Sequence, residues 1–266
     1  NRDTNAFVQG GSLHLAAYKE TFTDQGQTKE YTSARLNSKF AFTYGRVEIR
    51  AQLPTGVGTW PALWMLGQNI TEPGAYWQTQ GFGTQPWPQC GEIDIMEHWG
   101  HNQNYVSSAI HTPSSFGGTQ NVGGQYVSGA STGYHTYSME WTPTSITFAV
   151  DSVTHYTYTP SVQNSSTWPF DLPQFILMNI AIQPSIDPNF TASEMLVDYV
   201  RIYQSSLTVA EPVHPSVRVS PNPSGGIFSV VYPAGTTSAR LLSTQGQVLR
   251  VLTVDQPQVD LSAFSS

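Results

Sequence analysis

Three carboxylates lie close together in one short segment, at Glu92, Asp94 and Glu97, with mostly apolar residues between them. Side chains two residues apart on a β-strand share a face, so Glu92 and Asp94 point the same way. Glu97 stands at an odd offset from Glu92, which on a regular strand turns it to the opposite, buried face. An unpaired carboxylate buried there costs several kcal/mol.

One extra residue in the strand removes this conflict. A β-bulge near Ile95 and Met96 returns Glu97 to the face of Glu92 and lets the apolar neighbours point into a core. The backbones of Glu92 and Glu97 are then about 13 Å apart. Side chains leaning inward close this to about 5–5.5 Å, which suits retaining glycoside hydrolysis by a nucleophile and a general acid/base. Asp94 between them can hydrogen-bond the nucleophile or raise the pKa of the acid.

The same pattern has two other interpretations. Acidic residues that alternate along a strand most often form a solvated face. Oxygen ligands at this spacing also suit a hard cation, with His98 as a neighbour. His98 faces the core whenever Glu97 faces a cleft, so it is a poor ligand candidate. This segment leaves the three interpretations open, and the rest of the chain has to decide between them.

Composition restricts the kind of chain that carries this segment. It has 266 residues, 11 Lys+Arg against 18 Asp+Glu, a net charge of -7 and 12% aromatic residues. That composition disfavours a helical bundle and a disordered chain, and its acidity disfavours binding to nucleic acid. No apolar run approaches the ~18–20 residues of a membrane helix. Cys90 is the single cysteine, which excludes an intrachain disulfide and a multi-cysteine metal site.

Short alternating segments separated by Gly and Pro turns predict β-strands along the first 204 residues. Asp151 and Ser152 are expected to turn a hairpin, and residues 121–124, with two glycines, are expected to form another turn. No long stretch has a helical period, so we expect an all-β sandwich or barrel. The predicted strands are 12–18, 44–53, 136–142, 145–150, 155–159, 175–182 and 195–203.

The last 60 residues differ in composition from the rest. All seven tryptophans lie between Trp60 and Trp168, and the whole negative charge belongs to the first 206 residues. Residues 205–217 contain two prolines without hydrophobic periodicity, which is typical of a linker. We therefore expect a catalytic domain over 1–204, a linker over 205–217 and a small β-sandwich module over 218–266.

The acidic segment, CGEIDIMEHWG, strongly resembles the catalytic strand of glycoside hydrolase family 16. Within that family it is similar to the bacterial laminarinases, which are endo-β-1,3-glucanases. Met96 is the inserted residue of the bulged members, which the lichenase branch lacks. Further segments resemble the family in its own order, at 32–36, 42–51, 53–66, 140–143 and 197–204.

The resemblance implies a concanavalin-like jelly roll of two curved antiparallel sheets, with glucan in the concave cleft. It implies Glu92 as nucleophile, Glu97 as general acid/base and Asp94 as the assisting acid. We thus expect retaining endo-hydrolysis of β-1,3-glucan through a covalent glycosyl-enzyme, without an organic cofactor. The alternatives are the same fold acting on mixed-linkage β-glucan or on a galactan such as agarose or carrageenan, and a non-catalytic glucan-binding lectin.

Substrate contacts also follow from the resemblance. Sugar C–H faces pack on aromatic rings, so a glucan cleft needs such platforms. Asn179 could face the cleft or could be a hydrogen-bonded structural residue of the sheet, and we favour the structural interpretation. Arg50 alternates with core residues along its strand, so it could bind a sugar hydroxyl or form only a salt bridge. The predicted substrate-binding residues are Trp60, Trp64, Trp99, Arg50, Asn5 and His111.

Many family members carry a structural Ca²⁺ on the convex side, and Gly45 and Asp198 fall where two ligands would originate. The family's early strands, which supply one ligand, are missing, so we expect an N-terminally truncated domain. Gln183-Pro184 replaces the family's Gly-Gly beside the cleft. The insert 68–89, with Trp77 and Trp87, has no assigned place.

The C-terminal piece resembles the sorting domain of type IX secretion at residues 220–226 and 241–248. This implies a partial sorting module, secretion machinery as a partner and a secreted or cell-surface bacterial protein; we also expect a monomer. The alternative is an accessory sugar-binding module. The module has no tryptophan, and its aromatic residues are Phe228, Tyr232 and Phe264, which argues against a sugar platform.

Overall fold

The computed structural model describes residues 3–204, 217–220, 227–232, 235–242, 248–255 and 258–260. The chain divides into two compact units, Asn1–Ser205 and Ser206–Ser266. The predicted linker 205–217 lies outside the described residues, apart from Val217. Within the described ranges, no helix has the length and apolar character needed to cross a membrane.

The first unit consists of strands and one short helix. In chain order these elements are β1 (Ala6–Gln9), β2 (Ser12–Asp24), β3 (Gln27–Thr32), β4 (Arg35–Phe42), β5 (Gly45–Gln52), β6 (Thr59–Gly67), α1 (Tyr76–Thr79), β7 (Glu92–His98), β8 (Tyr105–His111), β9 (Val122–Tyr126), β10 (His135–Trp141), β11 (Ile146–Val150), β12 (Val153–Tyr158), β13 (Gln174–Ile182) and β14 (Ala192–Tyr203).

Two antiparallel sheets form this unit. One has the order β1-β2-β14-β5-β10-β11-β12, with β3 paired to β2, and the other has the order β4-β13-β6-β7-β8-β9. Val47 and Ile49 of β5 join Leu63 and Met65 of β6 and Ile93 of β7 in one buried cluster. Since both sheets contribute to this core, they pack face to face as a sandwich, which confirms the all-β expectation.

The predicted hairpin is confirmed. Asp151 and Ser152 have φ values of 49° and 68°, and β11 pairs with β12 across them. A two-residue loop with positive φ at both central positions matches the twist of the flanking strands.

The expected turn at residues 121–124 is wrong, because β9 runs through it. A Cβ on Gly123 would lie 2.7 Å from Cβ of Tyr156, and one on Gly124 would lie 2.5 Å from the Val106 carbonyl oxygen. These two glycines therefore allow close packing on a strand, which their composition alone did not distinguish from a turn.

The second unit contains β15 (Arg218–Ser220), β16 (Ile227–Val231), β17 (Ala239–Leu242), β18 (Val248–Leu252) and β19 (Gln258–Asp260). They form the antiparallel sheets β15-β16-β19 and β17-β18. Phe228, Val230 and Val259 are the buried centre of this unit. Most of the sorting motif at 220–226, and the middle of the motif at 241–248, lie outside the described residues.

Candidate active site

The bulge in β7 is confirmed by its pairing on both sides. The register shifts between Asp94 and Glu97 against β8, and Ile95 is skipped in the pairing with β6. Ile95 and Met96 are both buried in the core. The extra residue is thus accommodated on the side of β7 that faces the core. Glu92, Asp94 and Glu97 line one cavity on the opposite side of the strand.

This cavity is part of a cleft across the six-stranded sheet. A space of about 160 Å³ is walled on the β6 and β13 side by Trp60, Trp64 and Asn179. A second space of about 510 Å³ shares Trp60 and both glutamates and extends over β8 and β9. Because β7 lies between these strand pairs, the carboxylates sit between the two halves of the cleft.

Each glutamate accepts one indole N–H. Trp60 Nε1 donates to Glu97 Oε1 at 3.0 Å, and Trp87 Nε1 donates to Glu92 Oε2 at 2.7 Å. Hydrogen bonds to ionised carboxylates are stronger than those between neutral groups. The two glutamates are therefore held from opposite sides, by different segments of the chain.

His111 lies beside carboxyl oxygens of Glu92 and Asp94 that the indoles do not contact. Its Nε2 is 3.0 Å from Asp94 Oδ2 and 3.8 Å from Glu92 Oε1. The shorter contact lacks the alignment of a hydrogen bond, and Asp94 Oδ2 has no hydrogen-bond partner among the described residues. His111 thus joins the carboxylate cluster, as a neighbouring charge or as a polar contact for a ligand.

Burial dominates the acidity of the cluster. It raises the pKa of Glu92 to about 8, with Asp94 adding to the rise and His111 and Trp87 opposing it. Burial and the Glu97 charge raise the pKa of Asp94 well above its usual range. Burial also raises the pKa of Glu97, against the Trp60 hydrogen bond and the charge of His111. The three groups therefore retain protons at a pH where free carboxyl groups are ionised.

Asp94 and Glu92 are placed to share one retained proton. Asp94 is 3% exposed, and one of its carboxyl oxygens lies within 4.8 Å of a carboxyl oxygen of Glu92. Two buried carboxylates that close repel each other, so the pair favours retaining one proton. With the proton on Asp94, Glu92 can be ionised.

The predicted tryptophans all reach the cleft. Trp60 is 37% exposed and stacks on Trp99, with ring centroids 6.1 Å apart and 21° between the planes. Trp64 donates its N–H to Asn179 Oδ1 at 2.6 Å, and the Arg35 guanidinium lies 5.3 Å from its ring centroid. Asn179 lines the cavity beside the carboxylates, so the structural interpretation favoured for it is incomplete.

Asn5 lies outside the cavity of the carboxylates. It is buried, and its Nδ2 donates to the Ala16 carbonyl and to Thr32 Oγ1. Asn5 and Arg35 line a separate space of about 540 Å³. Since Arg35 also contacts Trp64, this space continues the line of the cleft towards β4.

The structure does not bring Arg50 to the cleft. Arg50 belongs to β5 in the other sheet, where its Nη1 bonds Asp198 Oδ2 at 2.5 Å and its guanidinium lies 4.7 Å from the Tyr134 ring centroid. The neighbouring Ile49 is in the core, so Arg50 faces outward from the eight-stranded sheet. This corrects the predicted substrate contact, and the salt-bridge alternative is the one observed.

The predicted calcium ligands do not fit a single ion. In the ladder of β5 and β14, Arg46 pairs with Tyr203 and Arg50 pairs with Tyr199. Gly45 and Asp198 are therefore near opposite ends of the ladder, about 15–20 Å apart. Calcium needs oxygen ligands at about 2.3–2.6 Å, so this pair cannot form one site.

The insert 68–89 supplies a site residue that the sequence did not identify. Trp77 anchors the insert, with its ring centroid 6.0 Å from that of Phe175 and its N–H donated to the Ser38 carbonyl. Trp87 follows and reaches Glu92. The Trp87-Pro88 pair just before the acidic strand is the sequence feature that could have pointed to this residue. The contact of Trp87 with Glu92, however, depends on how the insert folds back.

A two-sheet antiparallel sandwich with paired glutamates in a tryptophan-lined cleft is the arrangement expected of a glycoside hydrolase. Residues 2–201 match the family model described as Glycosyl hydrolases family 16. The chain belongs to this family, and the resemblance inferred from the acidic strand is confirmed.

Similar proteins and solved structures support the same assignment. A β-glucanase of Rhodothermus marinus is 41% identical over 218 residues, covering 76% of this chain and 71% of the relative. LamA of Zobellia galactanivorans, in complex with laminaritriose and laminaritetraose, superposes with a TM-score of 0.69 at 42% identity, over 77% of this chain and 83% of that one. The laminarinase of Rhodothermus marinus gives 0.65 at 41% identity, over 76% and 81%. The expected jelly roll is therefore confirmed.

Proposed function

We propose that this protein is a retaining endo-β-1,3-glucanase that cleaves laminarin-type glucan. The observation that carries the proposal is the bulged β7, which presents Glu92 and Glu97 to the middle of an open cleft. An open cleft crossing a sheet suits attack within a chain. The substrate class comes from the relatives, which are named as β-glucanases and laminarinases or contain laminarin oligosaccharides.

In the first step Glu92 attacks the anomeric carbon and Glu97 donates its proton to the leaving glycosidic oxygen. The buried position of Glu97 favours its protonated form, which the general acid needs. A proton on Asp94 lets Glu92 carry the negative charge, and the Trp87 N–H stabilises that charge. The C–O bond to the leaving sugar breaks and a glycosyl ester forms on Glu92.

In the second step the ionised Glu97 removes a proton from water, and the water oxygen attacks the anomeric carbon. The ester bond to Glu92 breaks, so both carboxyl groups return to their starting states. Two inversions give net retention, and the reducing-end sugar is released as the β-anomer.

Sugar binding is assigned to both halves of the cleft. Trp60, with Trp99 stacked on it, and Trp64 offer apolar faces for sugar C–H groups. His111 offers a polar contact beside the carboxylates, and Asn5 one at the β4 end of the cleft. Arg50 has no part in this assignment.

Hydrolysis of laminarin followed by NMR, with sizing of the products, tests the reaction. We expect the β-anomer first and a ladder of oligosaccharides. Initial α-anomer would overturn the retaining mechanism, and near-normal activity of Glu92→Gln would overturn the assigned roles.

A polysaccharide panel separates the alternative substrates. Faster hydrolysis of mixed-linkage glucan, agarose or carrageenan than of laminarin would replace the β-1,3-glucan assignment. Tight glucan binding without release of reducing ends would identify a lectin instead.

We also propose that residues 218–266 serve secretion, and that the protein is a monomer, secreted or held at the bacterial cell surface. The proposal rests on the two sorting-domain motifs in the sequence. Deleting this module in the source cell should retain the enzyme inside, and unchanged export would contradict the role. Light scattering would test the monomer.

A further inference from the structure

Trp87 binds the carboxylate that is assigned as nucleophile, through an N–H···O contact of 2.7 Å to Glu92 Oε2. We propose that Trp87 is a positioning residue for Glu92: its indole N–H holds Oε2 and leaves Oε1 as the attacking oxygen. The inference rests on the proposed role of Glu92. It gives the insert 68–89 a function in the reaction.

The backbone around Trp87 is held on both sides. Before it, the amides of Thr84 and Gln85 both donate to the Asn69 carbonyl at 2.9 Å. After it, the Cys90 amide donates to the Pro86 carbonyl at 3.1 Å and the Gly91 amide to the Pro88 carbonyl at 3.0 Å. The indole therefore starts from a fixed main chain rather than from a free loop.

Two neighbouring rings also restrict the orientation of the Trp87 indole. Phe116 meets it edge-on, with centroids 5.3 Å apart and an interplanar angle of 86°, and His111 lies 5.9 Å away at 49°. These contacts come from β8 and from the segment after it. A donor held by independent contacts loses little conformational freedom when it binds its acceptor, so it can define the orientation of Glu92.

The charges around Glu92 explain what the Trp87 N–H contributes. The titratable groups that the structure places near Glu92 are Asp94 and Glu97 from its own strand, Cys90 just before the strand, and His111 from β8. On the other side, β6 and β13 present Trp60, Trp64 and Asn179. Two neighbouring carboxylates oppose ionisation of Glu92, and the Trp87 N–H favours it.

Trp87→Phe removes the N–H and keeps an aromatic ring. We expect kcat on laminarin to fall about 10-fold with KM within about 2-fold, because the loss affects Glu92 rather than sugar binding. The acid limb of the kcat/KM profile should move to higher pH by about 0.5–1 unit, since the ionised form of Glu92 loses a donor.

Trp77→Phe is the matched control in the same insert. It removes the N–H that bonds the Ser38 carbonyl but keeps an aromatic ring against Phe175 to hold the insert, so it should lower Tm without moving the acid limb. A Trp87→Phe variant whose acid limb matches wild type would overturn the inference. A raised KM with unchanged kcat would also overturn it, because it would identify Trp87 as a sugar platform.

A substrate-free measurement separates this inference from the proposed function. In wild-type protein with ¹⁵N-labelled indoles, the Trp87 Nε1–H resonance, assigned by its loss in Trp87→Phe, should titrate with Glu92 and stop titrating in Glu92→Gln. A Trp87 resonance indifferent to Glu92 would overturn the inference. If this titration is observed but no glucan is cleaved, the proposed function is wrong, while the hydrogen bond between Trp87 and Glu92 is still supported.

Discussion

Trp60 donates its indole N–H to Glu97 Oε1 at 3.0 Å, and the same side chain stacks its ring on Trp99. The side chain assigned to sugar binding is thus also the hydrogen-bond partner of the proposed general acid. Its two roles depend on different parts of the indole, so they can be separated by substitution.

Trp60→Phe should keep an aromatic ring for sugar stacking and lose the N–H that donates to Glu97. Because that hydrogen bond lowers the pKa of Glu97, the basic limb of kcat should move to higher pH, with little change in KM. Trp60→Ala should in addition raise KM about 10-fold, through loss of the ring contact. Kinetics on laminarin from about pH 4 to 10 would measure both effects. Equal KM values for the two variants would contradict a platform role.

Glu92→Ala and Glu97→Ala should each lose about 10³-fold or more in kcat. Added azide should restore turnover of an activated aryl β-glucoside in both. The azide replaces the nucleophile in Glu92→Ala and gives the α-glycosyl azide. In Glu97→Ala it attacks the glycosyl-enzyme and gives the β-product. NMR of the products assigns the roles, and the reverse pattern would exchange them.

Asp94→Asn preserves the shape of the side chain and removes its charge and exchangeable proton. We expect kcat to fall about 10²-fold with KM nearly constant, since the contact is to Glu92 rather than to sugar. The acid limb should move to lower pH, because Asp94 raises the pKa of Glu92. Ser107→Ala, also in the cleft, is the control and should stay within about 2-fold. An unshifted acid limb would argue against electrostatic coupling.

Glu92→Gln should stabilise the fold at alkaline pH. The folded-state pKa of Glu92, about 8, lies above its usual value of 4.5, so the folded chain retains a proton that the unfolded chain loses. This contribution to stability is full below about pH 4.5 and is lost as pH rises towards 8. The Tm difference between variant and wild type should grow by a few degrees between about pH 5 and 8.5. Calorimetry would measure it. Glu48→Gln, which removes a carboxylate paired with Arg46, is the control.

Arg50→Gln should leave KM and kcat on laminarin within about 2-fold of wild type and cost up to about 1 kcal/mol of stability, because its partners are Asp198 and Tyr134 on the outer face. Arg35→Gln should instead raise KM, since Arg35 lies over Trp64 in the cleft. A strong effect of Arg50 on KM would restore its predicted role.

The sequence by itself determined the catalytic strand. Glu92, Asp94 and Glu97 share a face only if one residue is inserted, and both the two-residue period of a strand and the cost of burying a charge act locally. The bulge, the hairpin at Asp151 and the all-β class could be predicted for that reason.

Only the tertiary structure decided which segments meet. Alternation shows that Arg50 points away from the core, but the sheet order decides that it also points away from the cleft. Gly123 is a close-packing residue because Tyr156 from another sheet lies against it. Trp87 meets Glu92 because the insert is anchored by distant contacts of Trp77. Sequence periodicity describes the faces of one strand, and a contact between segments depends on the register and packing of all of them.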